Sequence, residues 1–294
     1  MADIPSLKLN TGASIPQVAL GTWESAPDDV YDAVKIALDA GYRHIDTAMI
    51  YGNEEAVGRA LQDSKVPRQE IFLTTKLWCK DFRNPEAALD ASLKRLRTDY
   101  VDLYLMHWPF ATKEENGKDV IDKDVDYVEV YKALAQLPTS KAKAVGISNF
   151  TIERVQRVLD SKPAKVPAAL QVELHVNLPQ QKLVDFCHSH GIVVEAYSPL
   201  ARGNLDNEVV KKIAKKHNVE PANVVLSWGI ARNTVVLPKS VTPARIQSNL
   251  KVIKLDREEV EELNKIAKED GLKRHCNYGN SFDFDTFDGD KDSK

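Results

Sequence analysis

Apolar, strand-like runs recur along the whole chain, and stretches with helical periodicity separate them. The pattern predicts eight strands, at Gln17–Thr22, Tyr42–Thr47, Ile71–Leu77, Val101–Trp108, Ala142–Ser148, Ala168–His175, Ile192–Tyr197 and Val235–Pro238. It predicts helices at Pro27–Ala40, Glu54–Asp63, Pro85–Arg97, Val125–Gln136, Ile152–Leu159, Pro179–His190, Asn207–Lys216, Pro221–Arg232 and Thr242–Lys251. Strands that alternate with helices in this way indicate parallel strands joined by crossover helices.

Eight such units without a long linker favour a closed (β/α)8 TIM barrel over an open sheet. We therefore expect the chain, residues 1–294, to form a single α/β barrel domain. A doubly wound open sheet is the alternative. Such a sheet usually carries a Gly-rich turn after its first strand, and no GxGxxG sequence occurs in this chain.

Three segments lie outside the eight units. Residues 6–16 predict a short hairpin that turns near Gly12 and plugs the N-terminal end of the barrel. Asp256–Asp270 predicts an extra amphipathic helix. Residues 271–294 form a tail that is either a flap docked on the substrate side or partly disordered; its phenylalanines favour packing of part of it.

Composition and charge exclude several classes of partner. The chain is 43% apolar and 28% charged, which is ordinary for a soluble globular protein. A net charge of −3 gives no electrostatic reason to expect binding to nucleic acid or to an anionic membrane. No secretory signal is visible, and no apolar stretch approaches the roughly 20 residues that span a bilayer. We expect a cytoplasmic protein and, since no heptad or long apolar edge requires a partner, a monomer.

The three cysteines, Cys79, Cys187 and Cys276, are odd in number and widely spaced. They fit reduced thiols in the cytosol better than a disulfide framework. No CxxC or paired His–Cys spacing occurs, so no metal site is expected.

Four polar residues in the first third of the chain are the candidate catalytic set. Asp46, Lys76 and His107 each close an apolar strand-like run, and Tyr51 lies five positions after Asp46 in the following loop. In a parallel barrel all strand C-termini open on one face, where catalysis takes place. Four groups that can exchange protons on that face indicate one site.

The chemistry of the four residue types suggests proton transfer to a carbonyl. A free tyrosine has a pKa of about 10, and a neighbouring ammonium such as Lys76 is expected to lower it. Asp46 would hold Lys76 charged, and His107 would donate to a carbonyl oxygen or relay the proton. Tyr51 would act as the general acid when a carbonyl is reduced, or accept a proton when an alcohol is oxidised. These residues bring no hydride, so a nicotinamide cofactor is implied.

The chain resembles the aldo-keto reductases over nearly its whole length. The resemblance rests on seven ordered segments: Gly41–Ala48 with Tyr51–Glu54, Thr75–Trp78, Asp102–Pro109, Val145–Phe150, Gln171–His175, Ala196–Leu200 and Leu237–Arg245. It implies a TIM barrel whose catalytic tetrad is Asp46, Tyr51, Lys76 and His107. It also implies NADPH as the usual cofactor, bound extended across the C-terminal face.

The resemblance assigns further residues to the cofactor and the substrate. Ser148, Asn149 and Gln171 would bond the nicotinamide carboxamide, and Tyr197 would stack on its ring. The remaining cofactor contacts would be Thr22, Ser198, Leu200, Lys239, Ser240, Arg245 and Asn249, with Ser198 and Leu200 at the pyrophosphate and Asn249 at the adenine. Trp23 and Trp108 would wall an apolar substrate pocket.

Lys239, Ser240 and Arg245 would hold the adenosine 2′-phosphate, and a physical argument supports this. The 2′-phosphate adds a dianion, which two cations and a hydroxyl within seven residues suit; a bare ribose would not need them. NADPH is therefore favoured over NADH.

The expected function is NADPH-dependent reduction of an aldehyde or ketone, with a reverse reaction that oxidises polyols such as glycerol. Two alternatives remain open. A barrel lysine such as Lys76 can form a Schiff base in an aldolase, although pairing with Asp46 would keep it protonated. A binding module that keeps the fold and NADPH as a redox sensor is the other alternative.

Overall fold

The computed structural model describes residues 4–282 and 284–287. This part of the chain holds twelve strands: β1 (Ser6–Lys8), β2 (Ser14–Pro16), β3 (Leu20–Gly21), β4 (His44–Asp46), β5 (Phe72–Leu77), β6 (Val101–Met106), β7 (Thr112–Glu115), β8 (Lys118–Ile121), β9 (Ala142–Ser148), β10 (Ala169–Glu173), β11 (Val193–Tyr197) and β12 (Thr234–Leu237).

Eight of the strands, β3–β6 and β9–β12, form one parallel sheet in the order β12-β11-β10-β9-β6-β5-β4-β3. The two ends of the sheet meet. Val18 and Gly21 pair in parallel with Val236 and Lys239, and the Ala19 amide donates to the Val236 carbonyl at 3.0 Å. A sheet of eight parallel strands closed on itself is the predicted (β/α)8 barrel.

Helices alternate with the barrel strands as the sequence predicts. Those in the described chain are α1 (Pro27–Ala40), α2 (Glu54–Gln62), α3 (Pro85–Leu96), α4 (Tyr127–Gln136), α5 (Ile152–Asp160), α6 (Gln181–Ser189), α7 (Glu208–His217), α8 (Pro221–Ala231), α9 (Pro243–Asn249) and α10 (Arg257–Asp270). Proline opens α1, α3, α8 and α9, in the first helical turn, where its missing N–H removes no intrahelical bond. None of these helices is long and apolar enough to cross a bilayer.

The N-terminal hairpin closes one end of the barrel. Strands β1 and β2 pair antiparallel and turn through Gly12, whose φ of 87° favours glycine. Leu9 and Ile15 are buried in a cluster with side chains from the barrel interior, Phe72, Leu103, Leu105, Ala144, Ala169, Val193 and Val235. Several of these residues begin their strands, so the hairpin plugs the end opposite the candidate site.

A second hairpin, β7–β8, lies in the charged segment after β6, whose conformation the hydrophobic pattern does not predict. It turns through Asn116 and Gly117, both with positive φ (52° and 74°). Asn-Gly between two extended runs is the strongest short-range signal for such a turn. The sequence therefore contained enough information to predict this hairpin.

The described part of the tail packs on the loops at the C-terminal face. Phe110 contacts the rings of Tyr278, Phe282 and Phe284, with centroids 5.4 to 6.1 Å apart. Phe287 is buried in the same aromatic cluster. Residues 283 and 288–294 of the predicted tail lie outside the described residues.

Candidate active site

The C-terminal ends of three neighbouring strands bring the four predicted catalytic residues together. Asp46 is the last residue of β4, Lys76 lies near the end of β5, and His107 follows β6 directly. Tyr51 ends a 3-10 turn that returns the loop after β4 over the barrel mouth. The same strand ends that made the pattern visible in the sequence therefore place the side chains on one face.

Lys76 and Asp46 form a buried ion pair. The Lys76 Nζ lies 2.8 Å from both carboxylate oxygens of Asp46 and donates to the Thr47 carbonyl at 2.9 Å. Burial by itself would lower the pKa of Lys76, but the charge of Asp46, with Tyr51 nearby, outweighs burial and raises it. Lys76 is therefore an ammonium at neutral pH.

Tyr51 accepts a hydrogen bond from this ammonium, with 3.3 Å between Nζ and the phenol oxygen. The sequence argument expected Lys76 to lower the pKa of Tyr51 below its ordinary value. Burial is the larger effect and raises the pKa of Tyr51 to about 12, although the charge of Lys76 by itself lowers it as expected. Tyr51 is thus protonated at neutral pH, and because Lys76 donates to its oxygen, its own O–H is left for another acceptor.

His107 is a neutral imidazole beside Tyr51. Burial, helped by the charge of Lys76, holds its pKa well below the ordinary value. Its ring lies 5.9 Å from Tyr51 and 5.2 Å from Trp78, measured between centroids. Its Nδ1 is buried and has no hydrogen-bond partner among residues 4–282 and 284–287. A neutral histidine here can donate from one ring nitrogen only.

Gln171 and Glu195, on β10 and β11, extend the set into the barrel. The Gln171 Nε2 donates to Asp46 Oδ1 at 2.8 Å and to Glu195 Oε2 at 3.2 Å. Both amide protons of Gln171 are thereby engaged, and its Oε1 is the atom left to accept from a ligand. Sequence reasoning did not include Glu195, since nothing in its strand marks an inward-facing carboxyl as functional.

A cleft of about 1170 Å³ opens above these residues and runs across the face of the barrel. Tyr51, His107 and Arg245 all lie on its wall. Most predicted cofactor residues line it: Thr22, Asn149, Gln171, Tyr197, Ser198, Leu200, Lys239, Ser240, Arg245 and Asn249. Its volume is above that of an ordinary small-ligand pocket and suits an extended dinucleotide with room for a substrate.

Ser148 is the predicted cofactor residue that the structure does not bring to the cleft wall. Its hydroxyl donates to the Gln171 carbonyl at 2.8 Å and accepts from the Asn149 amide at 3.2 Å. Tyr197 in turn donates to Asn149 Oδ1 at 2.8 Å. Ser148 therefore supports Asn149 and Tyr197 from behind.

Two of the predicted phosphate-binding residues on the cleft wall are cations. Lys239 and Arg245 are both exposed, and neither forms an ion pair with an acid in the part of the chain that the structure describes; Lys239 donates to the Glu24 carbonyl at 2.9 Å. Ser240 lies between them on the cleft wall. Unpaired cations in a cleft fit an anionic group such as a phosphate.

Aromatic side chains also line the cleft. The predicted pocket residues Trp23 and Trp108 both line it; Trp108 is buried and Trp23 is 37% exposed. Trp78, Ile50 and Tyr278 line it as well. Sequence reasoning missed Tyr278 because nothing in the local pattern shows that the tail returns to the mouth of the barrel.

A buried carboxylate ties the tail to the barrel. Glu173 is the last residue of β10. Its carboxylate accepts hydrogen bonds from the backbone amides of His275 and Cys276 at 2.8 Å each and lies 3.0 Å from His175 Nε2. Burial alone would raise the pKa of Glu173, but these donors, with His175 the largest contributor, lower it. The Glu173, His175 and His275 side chains lie close enough together to face a metal ion. Both carboxylate oxygens of Glu173, however, already accept hydrogen bonds from the protein.

Comparisons with known proteins agree with this geometry. The family described as "Aldo/keto reductase family" matches residues 17–268. The chain belongs to the aldo/keto reductase family. It is 51% identical over 288 residues to a glycerol 2-dehydrogenase (NADP(+)) of Saccharomyces cerevisiae, covering 91% of this chain and 92% of that one.

Two further relatives show how far the likeness extends. An aldehyde reductase of Saccharomyces cerevisiae is 49% identical over 289 residues, which cover 92% of this chain and 93% of that protein. The crystal structure of a Bombyx mori aldo-keto reductase in complex with NADP superposes with a TM-score of 0.87 at 34% identity, covering 98% of this chain and 99% of that one. The predicted family, fold and oxidoreductase class are therefore confirmed.

Proposed function

We propose that this protein uses NADPH to reduce a small aldehyde or ketone to an alcohol, and that the reverse reaction oxidises short polyols such as glycerol. One observation carries the proposal: the Tyr51 phenol oxygen accepts a hydrogen bond from the buried Lys76 ammonium at 3.3 Å. Tyr51 lies on the wall of a cleft large enough for a dinucleotide. The NADP(+)-dependent glycerol dehydrogenase and the aldehyde reductase among its relatives support the same reaction class.

Bound NADPH supplies the hydride in this reaction. Tyr51 donates its hydroxyl proton to the carbonyl oxygen as negative charge develops there. Its raised pKa still suits this role, because the alkoxide that it protonates is a far stronger base than a phenolate. The Lys76 ammonium then stabilises the phenolate, and Asp46 keeps Lys76 charged and in place.

His107 orients the carbonyl in the proposed mechanism. Because it is neutral, it can donate one N–H to the carbonyl oxygen without adding a second cation beside Lys76. Trp23 and Trp108, with Trp78 and Tyr278, keep water away from the reacting carbon. The aromatic walls also favour substrates with an apolar face, so simple aromatic aldehydes should be reduced alongside short hydroxyaldehydes.

The cofactor would lie extended along the cleft. Gln171 Oε1 and Asn149 would bond the nicotinamide carboxamide, with Ser148 supporting Asn149. Tyr197, held by Asn149, would stack on the nicotinamide ring. Thr22 would lie beside the nicotinamide end, Ser198 and Leu200 would contact the pyrophosphate, and Asn249 the adenine. Lys239, Ser240 and Arg245 would bind the 2′-phosphate.

Neither alternative function gains support from the site. An aldolase needs a neutral lysine, and Lys76 donates to three acceptors while its pKa is raised. A redox sensor without turnover would not need the Tyr51–Lys76 arrangement. We further propose that residues 1–294 form one cytoplasmic, monomeric barrel domain with its tail on the substrate side.

Cofactor choice tests the proposed 2′-phosphate site. The combined variant Lys239→Met with Arg245→Ala removes two charge-assisted contacts, so the Kd of NADPH should rise about 100-fold or more while that of NADH changes by less than about twofold. Fluorescence titration measures both constants. Lys251→Met with Lys254→Ala, at exposed positions outside the cleft wall, is the matched control. An unchanged NADPH affinity in the first variant would remove these residues from the site.

A further inference from the structure

Glu195 is a fully buried carboxyl that the proposed mechanism does not use. It lies on β11 inside the barrel, with 0% of its surface exposed. Its Oε2 accepts from the Gln171 amide at 3.2 Å. Its Oε1 is buried and has no hydrogen-bond partner within the described chain; the nearest basic atom is His44 Nε2 at 3.8 Å. A buried oxygen without a donor is costly if it carries negative charge.

The charges of the groups around Glu195 already sum to zero without a charge on Glu195 itself. Strand β4 presents Asp46 and His44 to it, β5 presents Lys76, and β10 presents the neutral Gln171. The neighbouring strand β12, Thr234–Leu237, carries no titratable side chain. Lys76 is the cation here, and Asp46 already neutralises it. An ionised Glu195 would be a second buried anion facing one cation.

His44 does not provide the missing cation. Its Nδ1 lies 3.2 Å from the Pro16 carbonyl and must carry a proton, so in the neutral ring Nε2 has one lone pair, which can accept from the Thr74 hydroxyl at 3.1 Å. Burial lowers the pKa of His44 to about 4. Burial, followed by the charge of Asp46, raises the pKa of Glu195 to about 8. At neutral pH the proton therefore resides on Glu195 and not on His44.

We propose that Glu195 is a positioning residue of the reductase: as a neutral acid it holds the Gln171 amide against Asp46, and its ionisation sets the upper pH limit of carbonyl reduction. The inference rests on the proposed function of Tyr51. When Tyr51 gives up its proton, the phenolate depends on Lys76 for stabilisation. A negative Glu195 would partly neutralise the charge of Lys76 and repel the phenolate. The phenolate would then be less stable, so reduction would slow.

The variant Glu195→Gln tests this directly because glutamine keeps the shape and stays neutral at every pH. In the wild-type protein, kcat for aldehyde reduction at saturating NADPH should fall by about tenfold around pH 8, to a lower plateau. In Glu195→Gln this step should vanish, so that the kcat of the variant at pH 9 stays within about twofold of its own kcat at pH 6.5. The control Glu55→Gln, an exposed carboxylate on α2, should keep the wild-type step. A step that persists in Glu195→Gln overturns the proposal.

A second measurement needs no variant. Infrared spectra of the wild-type protein should contain the carbonyl band of a buried protonated carboxylic acid at about pH 6.5, and lose it by about pH 9.5. Absence of that band at the lower pH would overturn the proposal even if Glu195→Gln failed to fold. The infrared result is also independent of turnover: a band that titrates near pH 8 in a protein that reduces no carbonyl would disprove the proposed function but not the neutral state of Glu195.

Discussion

At the residue scale, the ion pair of Lys76 and Asp46 serves the proposed function more than it serves stability. Both side chains are at least 95% buried, and two charges lose much of their hydration there. Their mutual attraction offsets this loss only because Lys76 has further acceptors in Thr47 and Tyr51. Apolar residues of similar size could fill the same space at little or no cost.

Two variants separate the functional from the structural role of this pair. Lys76→Met leaves the Asp46 carboxylate buried without its cation, so the free energy of unfolding should fall by about 3–5 kcal/mol. Adding Asp46→Leu removes the uncompensated charge and should restore most of that loss, while turnover stays absent in both variants. Urea unfolding and aldehyde reduction measure the two effects. Recovery of activity in the double variant would show that the ammonium is dispensable.

The clustering of the four proposed catalytic residues could be predicted from the sequence because each belongs to a strand end or the loop beside it. Their electrostatics could not. The direction of the Tyr51 pKa depends on how deeply the phenol is buried, which spacing does not reveal. The part played by Glu195 depends on which face of β11 points inward and on what lies opposite across the barrel.

At the element scale, one buried carboxylate is a central contact between the barrel and the described part of the tail, beside hydrogen bonds such as that from the Lys273 amide to the Asn177 carbonyl at 3.1 Å. Glu173 accepts two backbone amides of the tail, at His275 and Cys276, and the next turn brings Tyr278 to the cleft wall. A segment held by a few hydrogen bonds and an aromatic cluster opens more easily than the strands beneath it, which belong to a continuous parallel sheet. Strand β10 therefore affects the shape of the substrate pocket through its last residue.

Glu173→Gln should loosen the tail, because a neutral amide accepts fewer and weaker bonds than the carboxylate. We expect trypsin to cut after Lys273 and Arg274 roughly tenfold faster, and the KM for aldehyde to rise, with little change in the affinity for NADPH. Limited proteolysis read by mass spectrometry, with Glu55→Gln as the exposed control, checks the first result. Equal cleavage rates in both variants would contradict the anchoring role.

The same anchor gives the tail a pH dependence. The pKa of Glu173 is lowered in the folded protein, so its stabilising effect is complete above the ordinary glutamate pKa of about 4.3 and is lost as the pH falls through the folded value. Acid should therefore free the tail, and neutral or alkaline pH should not. The fragments released by pepsin at decreasing pH report the order of opening, with the tail expected first.

Elements with strong local patterns were predictable, and contacts between distant elements were not. Ala142–Ser148 and Pro27–Ala40 have the predicted bounds because apolar runs, Pro starts and Gly ends are local signals. The anchor between Glu173 and His275 joins residues about 100 positions apart, and no periodicity in the chain records it.

At the scale of the whole molecule, closure of the barrel turns eight separate strand ends into one face. Thr22 and Asn249 line the same cleft because the ends of the sheet meet, with Gly21 of β3 paired to Lys239 just after β12. The hairpin at the opposite end fills the interior with apolar side chains and leaves the polar set at one end only. The fold thereby separates stability, which depends on the plugged end, from catalysis at the loop end.

The measurement that tests the account most directly is NADPH-dependent reduction of short hydroxyaldehydes and aromatic aldehydes by the wild type, by Tyr51→Phe and by Tyr104→Phe. Tyr104 is the matched control: its hydroxyl is buried on β6 and has no partner among the described residues. We predict that Tyr51→Phe lowers kcat by roughly 1000-fold with NADPH affinity intact, and that Tyr104→Phe leaves kcat unchanged. Full turnover by Tyr51→Phe, or no turnover by the wild type despite tight NADPH binding, would contradict the account.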